Sequence, residues 1–163
     1  MLVRPLRSDE VEAVGALCRA AFHAEGHVHE RYLSIAGDVA GRAGSATVLV
    51  AECDGAPAGT VTIVLDGGPQ AEMAGPDEAE LRVLAVAPGC QRRGVGRALV
   101  QACVDAASAR GHRRIVCSCL GSMTAAQALY AHCGFRRVPE RDYALFAGYE
   151  RQALVLDLGA GTG

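Results

Sequence analysis

The segment Leu84-Ala85-Val86-Ala87-Pro88-Gly89-Cys90-Gln91-Arg92-Arg93-Gly94-Val95-Gly96-Arg97 carries the strongest chemical signal in the chain. It reads as an apolar strand end, a sharp turn and a helix start, an order that builds a site for an anion. Gly94 and Gly96 lack a Cβ and let backbone approach a ligand closely. The unpaired amides and positive dipole end of a helix starting at Gly94 point at whatever sits there. The chain has no Lys, no Asn and no Trp, and its 16 basic residues are all Arg. A Schiff-base lysine, a phosphate-loop lysine and a Cys-His-Asn triad are thereby excluded. The cradle must rest on backbone N–H groups together with Arg92, Arg93 and Arg97. A tight turn with solvated arginines is the plainer reading of the same residues. Two nucleotide sites fit poorly, since a dinucleotide fingerprint wants Gly where Leu99 stands and a P-loop wants the missing Lys.

Three carboxylates, Glu72, Glu78 and Glu80, precede this turn. Alternation along an extended strand puts Glu80, Arg82, Leu84 and Val86 on one face. Glu80 reads either as a proton acceptor or as a carboxylate paired with Arg82. His23, His27 and His29 with Glu30 imitate a metal cluster, but Gly26 argues against the helix that would align them, and no metal is expected. Cys117 and Cys119 point the same way on a strand, at a spacing shorter than zinc sites use, and read as buried packing.

These residues need a scaffold, and 163 residues allow one domain, read as 1–158 with a fraying tail at 159–163. Half the residues are hydrophobic and 21% are charged, which excludes a disordered chain. A net charge of −2 gives no general attraction for nucleic acid or anionic membrane, and no apolar run is long enough to span a bilayer. Seven scattered cysteines, an odd number, read as reduced thiols, so the expected location is cytoplasmic. Strands are predicted at 2–6, 46–53, 58–65, 78–87, 114–119, 135–138 and 152–158. Helices are predicted from a Ser8 cap to about Phe22, around 30–35, over 94–109 and over 123–132.

Gln91-Arg92-Arg93-Gly94-Val95-Gly96 resembles the Gln/Arg-x-x-Gly-x-Gly/Ala pyrophosphate motif of the GNAT superfamily of N-acetyltransferases, preceded as in that family by a Leu-x-Val-x-Pro strand end. Ala126, Leu129, Tyr130, Gly134 and Phe135 match the family's later Ala-x-x-Leu-Tyr-x-x-x-Gly-Phe motif, and the element order fits from Leu2 to Leu158. The resemblance implies a GNAT fold of α/β class: a mixed, mostly antiparallel sheet of about seven strands with helices on both faces. It implies acetyl-CoA as acyl donor, its pantetheine arm paired along Leu84, Ala85 and Val86, its pyrophosphate held by Gln91, Arg92, Arg93, Gly94, Val95, Gly96 and Arg97. It further implies Glu80 as the base, acting through water, and Tyr130 as the acid that protonates the leaving thiolate. One departure is Met123, where many members carry an Asn that contacts the coenzyme.

The expected reaction is acetyl transfer to a primary amine, on a small molecule or a protein N-terminus, by direct attack. The acceptor is expected on the variable loops 22–34, 65–77 and 139–150, the last with Tyr143, Phe146 and Tyr149. The alternative is a non-catalytic acyl-CoA binding or sensing module, and a nucleotide-binding α/β domain stands third. No nucleic acid or membrane partner is expected, and a homodimer is left open.

Overall fold

A single sheet runs through the molecule and sorts its helices onto two faces. The computed structural model describes residues 1–26 and 28–159. In chain order the elements are β1 (Leu2–Pro5), α1 (Val11–Ala24), α2 (Glu30–Gly37), α3 (Val39–Ala43), β2 (Thr47–Cys53), β3 (Ala56–Val64) and β4 (Glu78–Val86). There follow α4 (Val95–Ala109), β5 (Arg114–Cys119), α5 (Thr124–His132), β6 (Arg136–Arg137), β7 (Tyr143–Ala144) and β8 (Glu150–Asp157). The strand order is β1-β2-β3-β4-β5-β8-β6, with β7 added on β8. Every pairing is antiparallel except β4 with β5.

The β2–β3 hairpin turns on Asp54 and Gly55, both at positive φ, as a two-residue turn between twisted strands requires. α1 does not begin at a Ser8 cap. A short 3₁₀ turn over Ser8–Glu10 precedes it, and the Glu10 carboxylate accepts the Arg7 amide at 2.8 Å, so the acid three residues on does the capping. The helix reaches Ala24, beyond the expected Phe22, before Gly26 turns at φ 78. The strand count is eight because Tyr143–Ala144, too short to show alternation, pairs with Glu150 and Arg151.

Paired residues on neighbouring strands point to the same face, so the register assigns the layers. Thr62 accepts a bond from Arg42 of α3, which sets α1 to α3 on its face. Gly59 faces the other way, where an added Cβ would stand 2.7 Å from Val95 and 3.1 Å from Leu99, so α4 packs directly on the strand there. Val14, Cys18, Val50, Val61, Ile63, Leu99, Cys103 and Ile115 are fully buried between the layers.

The expected alternation of β4 is overturned. Thr62 pairs with Arg82 but Thr60 pairs with Ala85, so Val83 and Leu84 together stand opposite Val61. Val83 takes φ 50 in this bulge. Glu80 and Arg82 therefore share their face with Ala85, while Val86, opposite Gly59, turns toward α4 with Leu81. Leu84 and Val86 do not lie on Glu80's face.

Candidate active site

β4 and β5 pair only over Glu78–Arg114, Ala79–Ile115 and Glu80–Val116. Beyond Glu80 the two strands part, with a bulge in β4 just past the last pair while β5 stays with β8. The β5-facing edge of Leu81 to Val86 is left without a strand partner among the described residues. A cavity of about 360 Å³ opens at its end, lined by Leu84, Ala85 and Val86, by Gln91, Arg92 and Gly94 to Arg97, and by α1 and α5. That volume lies at the lower end of the range small-molecule sites occupy.

The turn is shaped for an anion. Arg92 at φ 62 and Gly94 at φ 80 both adopt left-handed backbone, which turns successive amides to one side. No side chain caps α4, so its first amides are open. An added Cβ on Gly94 would meet nothing within 4 Å, so glycine is favoured there by conformation; at Gly96 one would meet a terminal methyl of Leu129 at 2.9 Å, so α5 packs closely there. Arg92 and Arg97 line the cavity, whereas Arg93 turns out to a loose 3.6 Å pair with Asp54. Uncapped amides, an unpaired strand edge and an apolar floor fit the pyrophosphate and pantetheine of a coenzyme A thioester.

Glu80 sits at the point of divergence, 2% exposed. Its Oε2 accepts the amides of Glu72, Met73 and Ala74 at 2.8, 3.1 and 3.2 Å, tying the 66–77 loop across the sheet. Its Oε1 takes no bond among the described residues. Burial pushes its carboxyl above the ordinary 4.5, against the opposing pull of those amides and Arg82. The two neighbouring carboxylates are committed elsewhere. Burial would raise Glu78, but Arg141, the Gly75 amide and Arg114 hold it below the usual range. Glu72 pairs with Arg82 and accepts the Tyr143 hydroxyl at 2.6 Å.

Tyr130 of α5 is buried, its ring 5.2 Å from that of Phe135. Burial drives its phenol well above 10, so it stays protonated. Cys117 and Cys119 are buried free thiols that burial raises. Met123 is buried, and Gln127 fills the neighbouring turn by donating to the carbonyls of Leu120 and Gly121. Among the described residues no group of three His, Cys, Asp or Glu is placed to hold a metal. His27 of the histidine cluster lies outside the described residues, as does 160–163 of the tail. No described helix is long and apolar enough to cross a membrane.

A second group was only partly visible in the sequence. Tyr149 stacks on Phe146 at 4.8 Å, His29 meets both rings edge-on, and Tyr32 of α2 lies 5.8 Å from Tyr149. Under Tyr32 lies the Arg151 guanidinium, 5.1 Å from the ring centroid. The aromatic residues fall in loops where the acceptor was expected; Arg151, masked by an apolar strand, was not foreseen.

The split sheet and the uncapped glycine turn define a protein of the α/β class with an open strand edge beside a helix start. A profile described as "Acetyltransferase (GNAT) family" matches residues 11–135, and the chain belongs to that family. It is 46% identical over 65 residues to a mycothiol acetyltransferase of Beutenbergia cavernae, a match taking in 39% of this chain but only 22% of that relative. Its fold is that of a GNAT acetyltransferase from Staphylococcus aureus Mu50, at TM-score 0.76 and 12% identity over 96% of this chain and 98% of the other. The PaiA N-acetyltransferase of Thermoplasma acidophilum, solved in complex with coenzyme A, superposes at TM-score 0.74 with 13% identity over the same shares.

Proposed function

We propose that this chain transfers the acetyl group of acetyl-CoA to an amine by direct attack, within one domain spanning residues 1–158. The single observation that carries the reading is the parting of β4 from β5 beside the uncapped start of α4. The edge of Leu84 to Val86 can pair with the pantetheine amides as an added strand would. The amides of Gln91 to Arg97, with Arg92 and Arg97, can take the pyrophosphate.

An alkylammonium is almost wholly protonated at pH 7, so the acceptor must lose a proton before its nitrogen can attack the thioester carbon. Glu80 is the proposed acceptor of that proton through Oε1, relayed by water. Its raised pKa supports the role, since a base works best near the operating pH. As the carbon–sulfur bond breaks, the sulfur needs a proton, and Tyr130 is proposed to give it. Its buried phenol supports this by remaining protonated.

The test is release of coenzyme A thiol over an amine panel. We expect turnover with at least one amine, and Tyr130→Phe to lower kcat about 100-fold. Saturable acetyl-CoA binding with no thiol release for any amine would favour the sensing module instead. Tyr130→Phe with wild-type turnover and pH profile would remove the acid assignment.

A further inference from the structure

Arg151 is a buried cation without an anion among the described residues. It is 7% exposed, and its Nε and Nη2 donate only to Ser118, to Oγ at 3.2 Å and to the carbonyl at 2.7 Å. Its Nη1 is sealed from water with no hydrogen-bond partner, and it forms no ion pair among the described residues. The Tyr149 hydroxyl, equally buried, is also unpartnered. It lies beside Arg151 and the His29 backbone, but forms no well-shaped bond to either.

Two unsatisfied donors side by side in an apolar pocket are costly, and a buried guanidinium without a counter-charge more so. The Tyr32 ring offsets only part of that cost. Nearby acids do not serve, because Glu72 is taken by Arg82 and Tyr143, and Tyr143 in turn bonds Ser118 Oγ at 2.9 Å. This chain of bonds holds Ser118, and through it the guanidinium, in one orientation with Nη1 left over. Ser118 follows Val116, the partner of Glu80, on the same face of β5, in the part that has separated from β4. Ser118, and the guanidinium it holds, thus lie on Glu80's side of the sheet, past the last pair of β4 with β5. The turn beside them, 145–149, is closed by its own bonds, the Leu145 amide to the Tyr149 carbonyl and the Tyr149 amide to the Phe146 carbonyl.

We infer that Arg151 Nη1 and the Tyr149 hydroxyl bind the carboxylate of the acceptor, which is a small amine bearing a carboxylate close to its amino group. A carboxylate oxygen accepts both orphaned donors and supplies the missing charge, and the planar guanidinium suits it better than a point cation would. The inference rests on the acetyl-transfer reading and narrows its acceptor, setting aside polyamines, which would bring further positive charge to a buried one.

The experiment measures kcat/KM for a set of free amino acids, each paired with its own carboxamide. The wild-type acid-to-amide ratio is expected to be about 100 or more, since a site built for a charged group rejects the analogue that leaves its donors unpaired. Tyr149→Phe keeps the stack on Phe146, and should cut that ratio about tenfold; Arg151→Gln should bring it near 1. A wild-type ratio near 1, or a ratio untouched by Tyr149→Phe, overturns the inference even if Arg151→Gln fails to fold. If no amine is acetylated, the acetyl-transfer reading fails. Calorimetric titration of the same pairs into protein holding coenzyme A then decides: acid-selective binding lost in Tyr149→Phe upholds the anion site, and unselective or absent binding overturns it.

Discussion

Ala85 shares a face of β4 with Glu80, although their odd separation would put them on opposite faces of a regular strand. The cause is Val83, a β-branched residue held at φ 50, a conformation costing on the order of 1–3 kcal/mol. That local cost changes the direction of the strand beyond it. The carboxylate stays over the sheet on the α1 face, while Val86 turns to the start of α4 and the strand edge leaves β5. Glu80 and the open edge ending at Val86 can thus lie on one strand and still face different parts of the molecule.

The cradle predicts a separation of binding from folding. Gly94→Val puts a β-branched residue at φ 80, so the turn must change, yet its Cβ would meet no protein atom. We expect acetyl-CoA affinity to fall about tenfold or more, with a stability loss of about 1–2 kcal/mol. Calorimetry with acetyl-CoA and denaturant unfolding report the two separately. Wild-type affinity in a folded variant would remove the pyrophosphate from this turn.

Glu80 and Glu78 predict opposite pH behaviour. The Glu80 carboxyl is raised, so if it is the base, kcat/KM falls as pH drops through a value above 4.5, and Glu80→Gln loses that limb with most of its activity. Its protonated form is the one the fold prefers. Its contribution to stability is therefore full below 4.5 and lost as pH rises through the raised value.

Glu78 has the reverse sign. Arg141, the Gly75 amide and Arg114 hold its pKa below 4.5, so its stabilisation is full above 4.5 and lost as pH falls through the lowered value. Glu78→Gln should cost about 2 kcal/mol at pH 7, the scale of charge-assisted hydrogen bonds, and the gap should close in acid. Urea unfolding of both proteins at several pH values checks this. A gap that stays constant into acid would mean that the loss is one of packing.

Most of the fold was legible because most of it is periodic. β2, β5 and α4 announce themselves by alternation or by helical spacing, and Asp54-Gly55 and Gly111 punctuate them where the structure turns. The glycine turn was legible for a different reason: φ 80 at Gly94 leaves few residue types to choose from. What stayed hidden depends on contacts between distant segments. The bulge at Val83 has no local signature, since Val suits a regular strand. Glu80 binds amides six to eight residues before it, in a loop without pattern. Arg151 is unremarkable in Glu150-Arg151-Gln152 until β5 and α2 enclose it.

Arg42 links stability to the group formed by Tyr32 and Arg151. It is 2% exposed, yet among the described residues it pairs with no carboxylate. Nη1 and Nη2 donate to the Ile35 and Ala36 carbonyls at 2.7 and 2.8 Å, and Nε donates to Thr62 Oγ1 at 3.0 Å. Those carbonyls belong to the last turn of α2, where the dipole favours a cation, and the Ile35 carbonyl also accepts the Asp38 amide at 3.2 Å. Arg42 thus fastens the end of α2 to β3, and α2 carries Tyr32, the ring over Arg151. Arg42→Met fills much of the same space without donors, leaving the buried Ala36 carbonyl unpaired and the Ile35 carbonyl with the Asp38 amide alone. We expect a loss of about 3 kcal/mol, against about 1 kcal/mol for Thr62→Val, which removes one bond. Because the two residues touch, the double variant should lose less than the sum. Full additivity in denaturant unfolding would mean that Thr62 and Arg42 act independently. A loss below about 1 kcal/mol for Arg42→Met would show that the helix end holds without its arginine.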